Sequence, residues 1–243
     1  LKAEYDWRIN VLTYLSKDWT SPWTNQVSKS GTQLTVVACA KNHNGNEFSV
    51  PLPNATAMML NASQRSYREA LSIRRKNKID DKSKKGNAFK SSKEAIDYLE
   101  LVMESVLTAH AGLEAFVNDI IPEDYVYIST RKGKDKPEEM DKTKVQRHSS
   151  LCEKISKMLP SILSIKTPKG NSKSWENYQK LKNLRNRITH MKTEDRKSAG
   201  SDVDTIWRAL IYTEPPHQQA LSIIRYFEEA LNTKPMWLEK CSL

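Results

Sequence analysis

Residues 184 to 190 read Leu-Arg-Asn-Arg-Ile-Thr-His, an Arg-Asn pair followed four positions later by a histidine in a basic, helix-patterned stretch. Phosphodiester transfer needs few parts: a cation to hold and neutralise the phosphate, and a group that moves protons near neutral pH. Arg185 and His190 are residues of those two kinds. At about 100° per residue, Asn186 and His190 fall about 40° apart on one helix, and Arg185 about 140° from His190. Trp175, Tyr178, Leu181, Leu184, Ile188 and Met191 recur at three- and four-residue spacing and are expected to face the core, leaving the polar set off that stripe. One helix does not easily close Arg185 and His190 on a single phosphate. Two copies meeting about a two-fold axis would, so a homodimer with one shared cleft is expected.

Arg185-Asn186-x-x-x-His190 resembles the Arg-x(4 to 6)-His motif of the HEPN superfamily, helical nucleases in which Asn often follows the Arg directly. A second stretch, Leu-Thr-Ala-His-Ala-Gly-Leu-Glu-Ala-Phe-Val-Asn-Asp-Ile-Ile at 107 to 121, resembles the upstream helix of that family. The likeness covers roughly residues 90 to 235, and only these two segments are distinctive. It implies a metal-independent endoribonuclease of toxin or antiviral-defence type. In that chemistry the RNA 2′-hydroxyl attacks the adjacent phosphate, leaving a cyclic phosphate and a 5′-hydroxyl. His190 then transfers the proton, Arg185 stabilises the phosphorane, and Asn186 orients His190 or the phosphate. By the same analogy Glu114 positions Arg185 and Asn118, one turn on, shares that role. Family toxins controlled by a nucleotidyltransferase antitoxin carry Tyr two residues after the motif His; Lys192 stands there, which disfavours control by tyrosine modification.

Two other readings stay open. A HEPN-type helical module without activity would bind nucleic acid or a partner protein through the same basic surface, since fold does not fix function. In the plainest reading His190 is a surface or interface histidine and Arg185 and Arg187 are solvated. A DNA-reading helix-turn-helix is disfavoured, because no compact pair of short helices joined by a small-residue turn surrounds 175 to 191.

The charge balance points to an anionic partner: 39 Lys and Arg against 29 Asp and Glu give +10, with pI about 9.4. Basic residues cluster at Arg74, Arg75, Lys76, Lys78, Lys82, Lys84 and Lys85; at Arg131, Lys132, Lys134 and Lys136; and at Lys173, Lys180, Lys182, Arg187 and Lys192. The last cluster surrounds the motif, so Lys182, Arg187 and Lys192 are candidate RNA phosphate contacts. Cys39, Cys152 and Cys241 are far apart and in no CxxC pair, the pattern of reduced thiols in a cytoplasmic protein. Neither HExxH nor a Cys/His zinc spacing occurs, so no metal and no cofactor is expected. No apolar run reaches membrane-spanning length. An antitoxin or another defence-system subunit is a candidate partner.

The elements that must position the motif are read from pattern. The fold expected is mainly α, a HEPN-like helical bundle at 55 to 243 (core about 90 to 235) preceded by a small β-hairpin-containing element at 1 to 54. In the latter, strands at 32 to 38 and 47 to 50 flank Asn44-Gly45, while 6 to 15 is strand or short helix. Helices are expected at 55 to 76; from the capping box Ser91-Ser-Lys-Glu94 to Pro122; at 144 to 159; through the motif; at 202 to 212; and from Pro215-Pro216 onward. The stripe Ile96, Leu99, Met103, Val106, His110, Leu113, Val117 and Ile120 makes His110 an interior or interface histidine rather than a ligand. Residues 123 to 142 read as a charged loop.

Overall fold

The computed structural model describes residues 6–22, 24–129, 137–170, 172–197, 200, 203–231 and 234–241. The chain divides into two compact units, 1–58 with 235–243, and 59–234. The C-terminal tail, grouped by sequence with the helices, therefore belongs with the N-terminal element.

The first unit is built from paired short strands. β1 (Val11–Tyr14) lies antiparallel to β4 (Gln33–Thr35), β2 (Trp19–Thr20) to β3 (Val27–Ser28), and β5 (Val37–Lys41) to β6 (Glu47–Pro51). The hairpin at Asn44-Gly45 forms as expected: Gly45 has φ +81°, open to a residue without Cβ, and Asn42 Oδ1 accepts the N–H groups of Asn44 and Asn46. The expected single strand at 32 to 38 breaks at Val36. There the chain changes partner, from β1 on one side to β6 on the other. Of residues 6 to 15, which sequence left as strand or short helix, only Val11–Tyr14 form a strand, preceded by a turn. A short helix, α9 (Trp237–Lys240), completes the unit.

The second unit is helical. Asn54 Oδ1 accepts the Ala57 N–H at the start of α1 (Ala55–Lys76), and Ser91 caps α2 (Ser92–Ile120). Only half of the expected capping box forms, because the Glu94 carboxylate turns to Lys76 Nζ, 2.6 Å away. α2 is the central helix. Besides Val106, His110, Leu113 and Val117 it buries a second row, Tyr98, Val102, Ser105, Ala109, Gly112 and Phe116, whereas Ile96 is exposed. On that second row Ser63 and Ser105 exchange hydroxyl-to-carbonyl bonds of 2.7 and 2.8 Å with each other's backbone. A Cβ on Gly112 would come within 3.1 Å of Leu60, so small residues set how closely α1 approaches α2.

The expected loop at 123 to 142 contains a hairpin, β7 (Tyr127–Ser129) with β8 (Glu138–Met140). The expected helix at 144 to 159 is two pieces broken at Ser149–Ser150: α3 (Lys142–His148), then a rod in which α4 (Leu151–Glu153) and α5 (Leu159–Ile162) flank a π-turn at Lys154–Met158. Ser150 starts the rod by accepting the Glu153 N–H. α6 (Lys173–Thr189) carries the motif and packs on α2 and on α8 (Pro216–Glu228), with α7 (Ile206–Ile211) against α2 and α6. Ile155, Leu159, Tyr178, Leu181, Leu221, Ile224 and Phe227 are fully buried. No described helix is long and apolar enough to cross a membrane.

Candidate active site

Ser172 opens α6 by accepting the Trp175 N–H, and Tyr178, Leu181 and Ile188 hold one face in the core. The other end carries the motif. Arg185 Nη1 donates to Asn186 Oδ1 at 2.9 Å, and Asn186 O accepts both the His190 N–H (2.9 Å) and the Thr189 hydroxyl (3.1 Å). Asn186 thus touches Arg185 through its side chain and His190 through its backbone.

The helix ends at Thr189, one residue before the histidine. His190 is its C-cap with φ −128° and ψ 62°, exposed, and Met191 lies beyond the helix. The angular arithmetic that assumed helix through 191 therefore applies to Arg185 and Asn186 but not to His190, whose Cα–Cβ bond is turned by its non-helical φ. The cause of the stop lies downstream. Asp195 Oδ2 accepts the Lys192 N–H (3.1 Å), its Oδ1 accepts the Ile206 N–H (2.7 Å), and its carbonyl accepts Trp207 Nε1 (2.8 Å). This buried carboxylate takes the chain out of the helix and ties it to α7.

Arg185 is not the solvated residue its place off the apolar stripe implied. It is half-buried, and on α2, which packs on α6, His110 lies 4% exposed. Burial, and then the charge of Arg185, push the His110 pKa down to about 4, so this imidazole is neutral at physiological pH. His110, Glu114 and Asn118 follow one another at four-residue spacing along α2 and make one polar seam. Asn118 Oδ1 does not reach Arg185; it accepts Lys154 Nζ at 2.9 Å, and Gln146 O accepts the same ammonium at 3.0 Å. Burial lowers the Lys154 pKa, opposed by the nearby Glu114 carboxylate. Among the described residues no ion pair joins Glu114 to Arg185, which has Asn186 as its side-chain partner. The buried Tyr178 hydroxyl completes the seam; burial and then Cys152 raise its pKa, while Arg185 acts to lower it.

Of the expected phosphate contacts, Arg187 is already engaged: Nη1 to Asp204 Oδ2 at 2.9 Å and Nη2 to Asp195 Oδ1 at 3.1 Å. Its side chain braces the turn after the motif. Lys182 is half-buried and Lys192 exposed, neither with a side-chain partner among the described residues. Elsewhere the basic clusters are partly neutralised, Arg74 by Asp80, Lys76 by Glu94 and Lys180 by Glu214. Arg131, Lys132, Lys134 and Lys136 lie outside the described residues.

Sequence reasoning missed Lys154 and Asp195. Nothing in an apolar period marks a lysine for burial, and Lys154 is buried where the π-turn shifts the helical phase, its carbonyl accepting the Leu159 N–H five residues on. Asp195 sits in an irregular segment, where periodicity carries no signal.

No protein-family model matches the chain, and neither a curated protein nor a solved structure matches it significantly. Among the described residues no three His, Cys, Asp or Glu side chains are grouped so as to hold a metal ion. The arrangement offers a guanidinium fixed by a neighbouring amide, an exposed imidazole at the adjacent helix end, and a buried imidazole held neutral by burial and by the guanidinium's charge. Those parts suit charge stabilisation and proton transfer at a phosphate.

Proposed function

We propose that the chain is an endoribonuclease of HEPN type that cleaves RNA without a metal, through the C-terminal end of α6. The observation that carries this reading is Asn186, which holds Arg185 by its side chain and His190 by its carbonyl. The substrate's 2′-oxygen attacks the adjacent phosphorus and gives up its proton to His190. The P–O5′ bond then breaks, the leaving 5′-oxygen takes that proton back from the His190 imidazolium, and a 2′,3′-cyclic phosphate and a 5′-hydroxyl result. Arg185 balances the extra negative charge of the phosphorane, the role in which a preorganised charge contributes most. Its half-buried position strengthens that interaction relative to water.

Lys182 and Lys192 flank the motif and draw in the strand; Arg187 acts on the protein side, holding the turn that presents His190. A homodimer supports the chemistry further. Arg185 and His190 are five residues apart, about 7.5 Å along the axis, with one half-buried on the helix and the other exposed at its end. A second copy related by a two-fold axis brings an opposing His190 to each Arg185. A toxin or defence role, in the cytoplasm and under a restraining partner, follows from the same reading.

The test is incubation of purified protein with total RNA in excess EDTA, followed by analysis of product ends. Cyclic or 3′-phosphate ends, absent with His190→Ala, are expected. Intact RNA, or cleavage that needs added metal and leaves 3′-hydroxyl ends, overturns the reading.

A further inference from the structure

A cleft of about 470 Å³ opens on the side of α6 formed with α7 and the start of α8, lined in part by Lys180, Asn183, Arg187, Tyr212, Glu214 and Gln219. Its size is that of small-molecule sites, about 300–1,000 Å³. Three hydrogen-bonding groups in it lack a partner among the described residues. Gln219 is 5% exposed and its Oε1 is unbonded, the Arg187 Nε–H is unbonded, and the exposed Asn183 amide makes no hydrogen bond. Buried polar atoms are rarely left so, because desolvation without a partner is costly. Lys180, and more weakly the Gln219 amide, draw the Glu214 carboxyl below its ordinary range.

Charge and shape narrow the ligand. Lys180 is neutralised by Glu214 at 3.2 Å, and Arg187 by Asp195 and Asp204, so the cleft has no unpaired cation to select a phosphate. What remains is an acceptor, a donor, an amide that is both, and the Tyr212 ring, 70% exposed. A nucleobase presents neighbouring donors and acceptors on one edge and a flat face for an aromatic ring. Arg187 stands three residues before His190, about 4.5 Å along the helix.

We infer that this cleft binds one unpaired nucleobase of an RNA strand, against Tyr212 and on the edge groups of Gln219, Asn183 and Arg187. The inference rests on the RNA-cleavage reading for the source of the base. Its recognition chemistry stands apart from catalysis, and so does its test.

Calorimetric titration of the full chain with AMP, GMP, CMP and UMP, one at a time, reads the site without any cleavage. At least one nucleotide is expected to bind saturably, with affinity reduced about tenfold by Tyr212→Ala, a typical loss for one stacking contact, and reduced as well by Gln219→Leu. Should Gln219→Leu not fold, Asn183→Ala takes its place. No saturable binding by any nucleotide overturns the inference, as does binding that both variants leave unchanged. Either result leaves the cleavage reading to its own assay. A protein that binds a nucleotide here yet never cuts RNA keeps the cleft and loses the active site.

Discussion

Arg185 and His190 differ in how the fold holds them, so their substitutions should differ in kind. His190 is exposed at a helix end, so His190→Ala should abolish RNA cleavage while moving stability by no more than about 0.5 kcal/mol. Arg185 is half-buried and bonded to Asn186; Arg185→Ala should abolish cleavage and also cost about 1–2 kcal/mol, with Arg185→Lys recovering fold more than activity. Urea melts beside cleavage rates check both, and a His190→Ala protein that is folded and fully active removes the residue from the mechanism. Two other histidines make a separate pH prediction. Burial pushes His110 and His217 from an ordinary 6.5 to about 4, helped by Arg185 and Arg68 respectively. Their neutral forms are favoured on folding, so the unfolded chain binds more protons between those values. Their contribution is complete above about pH 6.5 and is lost as pH falls toward 4, approaching two protons taken up on unfolding. The carboxylates held below their ordinary range, such as Asp195 and Asp80, lose theirs at lower pH. Melting temperatures from pH 7.5 to 4.5 should decline through this window and decline less in His110→Gln. A flat profile would mean that these histidines are not held neutral.

Helices with caps and a clear apolar period were legible: α1 was read over about its observed span, the Ser91 cap of α2 from its capping box, and the buried face of α8 from Leu221, Ile224 and Phe227. What escaped obeys no period. The middle of the second buried row of α2 is made of small residues, Ser105, Ala109 and Gly112, which a search for large apolar side chains passes over. The π-turn at Lys154–Met158 shifts phase inside a helix, and the end of α6 depends on an acceptor, Asp195, outside it. The site was legible to the same degree. Arg185 and Asn186 fall on one helix with His190 at its C-cap, but the effect of the Arg185 charge on buried His110 and the engagement of Arg187 by two carboxylates are tertiary facts that no spacing encodes. The α1–α2 contact yields a direct test. Gly112→Val places new atoms where one Cβ already comes within 3.1 Å of Leu60, and should cost about 1–3 kcal/mol as overpacking. Differential scanning calorimetry reads it; an unchanged or raised melting temperature would show that the two helices are not held at this distance.

On the scale of the molecule, the net charge of +10 suits an anionic partner, yet many cations are already paired within the fold, so the surplus acts through particular residues such as Lys182 and Lys192 rather than as a uniform coat. Assembly has its own prediction. If each Arg185–His190 pair in the shared cleft takes Arg185 from one copy and His190 from the other, a mixture of inactive Arg185→Ala and His190→Ala proteins, exchanged and re-equilibrated, should regain part of wild-type activity, since each heterodimer holds one intact pair. No recovery from a mixture shown to contain heterodimers would make each site the property of a single chain. The central claim is that the substrate supplies the nucleophile and that Arg185 and His190 serve it. An RNA oligonucleotide with one mapped cleavage site, compared with the same strand bearing a single 2′-deoxy nucleotide on the 5′ side of that bond, tests it most directly. With EDTA present, wild-type protein should cut the first to a cyclic phosphate and leave the second intact at that bond; equal cutting of both would contradict the account.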